Sequence, residues 1–80
     1  MFVVTHYDHE TGDRFINGPF SSAEAAIVWA NAAAKDVVKQ NGYGEAIQYD
    51  NEVSVVDKID EEIHSYEVVE LIPPTTRKGT

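Results

Sequence analysis

The chain predicts a single small α+β domain of order β-β-α-β-β-β, with one helix over about residues 22–40 packed on a mostly antiparallel sheet. Three observations carry this expectation. One long alanine-rich segment has helical periodicity with start and stop signals at its ends. Short runs rich in Val, Ile, Tyr and Phe flank it on both sides. Asp, Asn and Gly clusters punctuate the joins.

Phe2 to Tyr7 is β-branched and aromatic and reads as the first strand. Asp8-His9-Glu10-Thr11-Gly12-Asp13 is turn chemistry, with Gly12 in the left-handed position, and Arg14 to Asn17 returns as a second strand that Gly18-Pro19 ends. The helix follows. Ser21-Ser22-Ala23-Glu24 has the pattern of a capping box, in which Ser21 takes the amide of Glu24 and Glu24 reaches back, with Phe20 as a hydrophobic staple. Asn41-Gly42 supplies the stop, and a Schellman motif would pack Tyr43 onto Val38. Ala23, Ala26, Ile27, Ala30, Ala33, Ala34, Val37 and Val38 share one stripe, the face for the sheet. Alanines permit close approach, so the strands must supply the core volume. Glu24, Asn31, Lys35 and Lys39 mark the solvent side.

Beyond the helix, Glu45 to Tyr49 reads as a strand and Asp50-Asn51 as a turn. Glu52 to Asp57 reads as a strand through Val53, Val55 and Val56, although Val53, Val56, Ile59 and Ile63 also fall near helical spacing. Asp57 to Glu62 is a polar loop or one helical turn, and Tyr66 to Ile72 is the last strand, closed by Pro73-Pro74. The domain is expected to span 1–74, with 75–80 a disordered tail.

Composition narrows the function. A chain of 80 residues buries a small core, and pairing with another copy is a common supplement to stability. There is no cysteine, hence no disulfide and no thiolate metal site. The formal charge is −8, which disfavours direct nucleic-acid binding and attachment to an anionic membrane. Met1 to His6 has no basic segment and runs into a strand pattern, and no apolar run approaches a membrane span. A cytoplasmic location is expected.

Three constellations could carry function. Ala25, Val28, Trp29 and Ala32 make the helix apolar opposite its core stripe, and a helix apolar on both sides is usually covered on both. This predicts a partner surface anchored by Trp29, since tryptophan is enriched at binding hot spots. The plainer alternative is that alanine is there as a helix former, with Trp29 tucked against a loop. Second, Asp50 to Glu70 holds eight acids and one base, Lys58. Asp57, Asp60, Glu61, Glu62, Glu67 and Glu70 read either as a solvated surface or as an acidic patch for a basic partner. Third, His6-Tyr7-Asp8-His9-Glu10 groups two histidines with two carboxylates. His6 lies in a strand, His9 in a turn, and His64 stands alone downstream, so no metal and no cofactor is expected. Nothing resembles a nucleophile elbow, a P-loop or a dinucleotide fingerprint, so no catalytic residue is assigned.

Two stretches carry a resemblance: Gly18-Pro19-Phe20-Ser21-Ser22-Ala23-Glu24-Ala25-Ala26-Ile27-Val28-Trp29-Ala30 and Tyr66-Glu67-Val68-Val69-Glu70-Leu71-Ile72-Pro73-Pro74. With the opening hairpin they resemble small accessory proteins encoded by bacteriophages of actinobacteria. The resemblance covers about half the chain and lapses between Tyr43 and His64. It implies a non-enzymatic protein of the infected cell's cytoplasm, of a kind of which some members bind and disable a host protein, and it assigns no binding residues. The expectation is therefore a protein-interaction module, phage-encoded and self-associating as a homodimer. One alternative is an anti-defence inhibitor whose acidic patch occupies its target's nucleic-acid site. Another is a small metal-assisted enzyme using His6 and His9.

Overall fold

The computed structural model describes residues 1–72; the expected terminator at Pro73-Pro74 and the tail at 75–80 lie outside them. The elements are β1 (Phe2–Asp8), β2 (Arg14–Phe20), α1 (Ala23–Asn41), β3 (Glu45–Gln48), β4 (Glu52–Val56) and β5 (Glu62–Glu70), in the expected order. They form one five-stranded sheet of order β2-β1-β5-β4-β3, antiparallel at every pairing. The N-terminal hairpin and the C-terminal meander meet at the β1–β5 seam, and α1 packs across one face of both.

Boundaries moved for identifiable reasons. The N-cap is Ser22, with extended backbone and a hydroxyl that accepts from the Ala25 amide at 3.0 Å. Ala25 thus occupies the third helical position, and the reciprocal arm expected between Ser21 and Glu24 does not form. Glu24 still lies in the first turn, favourably placed toward the helix dipole. Phe20 packs on Trp29, with ring centroids 5.8 Å apart, in place of the expected staple. At the other end Gly42 is left-handed (φ 77°) and its N–H meets the Val38 carbonyl at 2.9 Å. That is the single-bond cap, which leaves Tyr43 free to lie under the Lys58 ammonium at 5.3 Å.

Strand β2 runs on through Gly18-Pro19 to Phe20, which pairs with Phe2. Proline is tolerated there because, among the described residues, β2 is an edge strand with no outer neighbour to receive an N–H. Strand β5 begins at Glu62, four residues before the expected start at Tyr66, because all of β1 pairs with it, from Phe2↔Glu70 to Asp8↔His64. It ends two residues before Ile72 because β1 runs out; the Leu71 amide makes a last bond to the Met1 carbonyl at 2.8 Å. The run with mixed periodicity, Val53 to Val56, is strand throughout. It lies between β3 and β5, and Val53, Ser54, Val55 and Val56 are all buried. Gly44 lets β3 start close against β4, since a Cβ there would sit 2.6 Å from the Val56 carbonyl oxygen.

The core follows the alanine stripe. Ala26, Ala30 and Ala34 are fully buried against Val4, Val53, Val55, Ile63, Tyr66 and Val68. Small helix residues bring the backbone close to the sheet, and Tyr66 supplies the largest enclosed side chain. Phe2, Phe20, Ile27, Trp29, Val37, Val38 and Ala46 close the rim. Asn31 extends the helix contact to the sheet edge by donating to Gln48 at 2.8 Å.

Candidate functional site

Side chains alternate across a strand, so the register sorts them between a covered and an open face. The covered face holds Val4 and His6 of β1 and His64, Tyr66 and Val68 of β5. The open face holds two cross-strand rows. One row is Ile16, Thr5, Glu67 and Glu52; the other is Arg14, Tyr7, Ser65, Ser54 and Ile47. Residues of both rows line a shallow cleft of about 220 Å³ over β2, β1 and β5.

Two features of the open face are chemically specific. The Arg14 guanidinium lies over the Tyr7 ring, 4.4 Å from its centroid, where ring and cation attract. Beside it, Glu52 and Glu67 are directly opposite each other and both exposed. Like charges opposed across a ladder repel. Among the described residues neither has a cationic side chain within ion-pairing distance; the ion pair formed there is His9 with Glu62 at 3.3 Å.

That pair belongs to a small network at the open end of β5. The same His9 Nε2 lies 3.2 Å from the Ser65 hydroxyl, and the Ser54 hydroxyl donates to Glu62. Serine, histidine and glutamate together suggest a relay in composition only. A relay uses the two imidazole nitrogens for two different partners. Here one nitrogen meets both.

The opposite face has its own polar corner. His6 Nε2 and His64 Nδ1 are 2.9 Å apart, His6 stacks on Tyr66 at 4.1 Å, and Phe15 lies 5.4 Å away. Burial, then the charge of His64, lowers the His6 pKa, partly opposed by Asp8. Burial, with Asp8 and Asp36 nearby, pushes the Tyr66 phenol up to about 12. Burial acts to raise the Asp8 pKa, but the amides of Glu10 and Thr11, the charge of His64 and the Thr11 hydroxyl outweigh it and hold it low. The amide bonds are 2.9 and 3.2 Å long.

The residues singled out from sequence stand only partly where expected. Trp29 is half-buried and packs toward the core rim against Phe20, whereas Val28, Ala25 and Ala32 are exposed on the outer helix face. The acidic residues do not form one patch. Asp57, Asp60 and Glu61 belong to the β4–β5 turn, where the Asp57 carboxylate accepts from the amides of Ile59 and Glu61 at 2.9 and 3.0 Å. Glu62 and Glu70 stand at opposite ends of β5, roughly 26 Å apart at strand rise. Of these six, Glu67 alone reaches the open-face cleft, where it meets Glu52. His6 and His9 are not brought together: His6 meets His64 on the covered face, and His9 meets Ser65 and Glu62 on the other.

Sequence reasoning missed the Glu52–Glu67 pair, the Arg14–Tyr7 stack and the His6–His64 contact. All three are cross-strand. The period-2 pattern would have put His64, Tyr66 and Val68 on one face had the last strand been started four residues earlier. No protein-family model matches the chain, and neither the curated proteins nor the solved structures contain a significant match.

Proposed function

We propose that the chain is a non-enzymatic protein-binding module that receives a basic segment of its partner on the open face of the sheet. The observation that carries this is the opposed Glu52–Glu67 pair, exposed in a cleft and, among the described residues, without a cationic side chain at ion-pairing distance. Repulsion in the free protein becomes attraction when a lysine or arginine sits between the two carboxylates. Tyr7 and Ile16 beside them supply apolar contact, and Ile16 is 75% exposed. The shallow cleft and the single-nitrogen geometry of His9 support binding over catalysis. The resemblance of the helix start and closing strand adds that the partner is a host protein.

The test is an amide chemical-shift titration with a lysine- and arginine-rich peptide at low and high salt. Shifts at Thr5, Tyr7, Ile16, Glu52 and Glu67 are expected, lost in a Glu52→Lys/Glu67→Lys variant. They should survive in Asp57→Lys/Glu61→Lys, which changes net charge equally. If both variants weaken binding alike, charge alone is responsible and the site assignment is wrong.

Self-association is a second reading, supported by the outer edge of β2, unpaired among the described residues, where Phe15 and Ile16 are exposed. Light scattering on the native chain and on Ile16→Lys tests it: a dimer that the substitution dissociates is the expected result.

A further inference from the structure

The corner beneath the β1–β2 turn holds a group of ligands that the open-face reading does not use. Asp8 at the end of β1, Glu10 in the turn and buried His64 of β5 bring two carboxylates and an imidazole within 4.8 Å of one another. We propose that these three side chains bind one divalent transition-metal ion, zinc in the first instance, clasping the β1–β2 turn to β5.

Ligand chemistry selects the class of ion. One imidazole with two carboxylates suits zinc and its first-row neighbours, whereas calcium and magnesium favour sites built from oxygen alone. Three protein ligands leave a fourth position to water.

The surroundings are ordered as metal sites require. With Nδ1 of His64 facing His6 at 2.9 Å, Nε2 is the nitrogen available to an ion. A ligating histidine ordinarily gives its other N–H to a fixed acceptor, and His6 Nε2 is placed to be that acceptor. His6 is itself held by its stack on Tyr66 at 4.1 Å. The Asp8 carboxylate is anchored by the amides of Glu10 and Thr11. Glu10 is the exposed member, a long side chain on a turn, so a rotamer change can bring it to the closer spacing of about 3.3 Å that tetrahedral zinc imposes on its ligands. A small domain without disulfides is the kind that gains most from such a staple.

The experiment uses the tag-free chain, stripped with chelator and dialysed against zinc, with metal content, affinity and thermal midpoint measured. One ion per chain is expected, with a midpoint raised by about 5–10 °C at saturation and restored by chelator. His64→Gln and Asp8→Asn should abolish stoichiometric binding, and His6→Gln should weaken it about 10-fold or more. Should those variants fold poorly, Glu10→Gln on the exposed turn is safe to make and should weaken binding about 10-fold. His9→Gln, outside the site, should leave it unchanged. Absence of saturable one-to-one binding overturns the proposal, and so does binding that Glu10→Gln leaves intact.

Discussion

The two faces of one sheet show opposite solutions to the same geometry. On the covered face Val4, Val53, Val55, Tyr66 and Val68 meet Ala26, Ala30 and Ala34 with almost no exposure. On the open face the same strands present Thr5, Tyr7, Arg14, Ile16, Glu52, Ser65 and Glu67 around a shallow cleft. The covered face is built for cohesion. The open face keeps an unfavourable carboxylate pair that stability alone would remove, and on that contrast the proposed binding face rests. The helix joins the cohesive side through its stripe and through Trp29, while Ala25, Val28 and Ala32 stay exposed on its outer face.

The contrast can be attacked most forcefully at Tyr66. Tyr66→Ala should lower unfolding stability by about 3–5 kcal/mol in urea melts, as large aromatic truncations in cores do. Ala30→Leu should cost about 1–3 kcal/mol by overpacking the close helix–sheet contact, whereas Ile16→Leu on the open face should be nearly neutral. If Ala30→Leu is tolerated as easily as the open-face change, the two faces do not differ as described. Ser22→Ala should cost about 1 kcal/mol and Ser21→Ala much less, which separates the observed cap from its neighbour.

Smaller effects probe the open face and the histidine corner. Glu67→Gln should stabilise the free protein by about 0.2–1 kcal/mol while weakening capture of a basic peptide, the signature of a charge kept for function. Loss of stability on that change would break the comparison. For the metal-free protein, His6 sets a pH dependence. Its folded pKa lies below the ordinary 6.5, so below that pH the unfolded chain binds the proton more readily. Stability is full above 6.5, falls as pH drops through it, and levels off beneath the folded pKa. His6→Gln should flatten that slope in acid melts, with His64, Asp8, Tyr66 and Phe15 as the surrounding groups.

Much of this was legible in the chain because it is local. Alanine periodicity marked the helix and its buried stripe, Gly42 marked its end, and β-branched runs marked the strands. Local patterns blurred where a neighbour decided the outcome. The capping residue shifted by one because two serines compete and only Ser22 has its hydroxyl at the Ala25 amide. Val53 to Val56 became strand because β3 and β5 pair with it on both sides. Residues 62–65 joined β5 because β1 is long enough to reach them.

The sequence by itself determined the element order, the acidity, the covered stripe and every element type but that of Val53 to Val56, since each depends on neighbours within a few positions. Only tertiary structure decided that β1 lies beside β5. That pairing joins residues about sixty positions apart, and it sets His6 on His64, Asp8 opposite His64 and Tyr7 beside Ser65. The neighbouring β4–β5 ladder likewise sets Glu52 against Glu67. A shift of one residue in either register would send those side chains to the other face, so both candidate sites exist only through the pairing of distant strands.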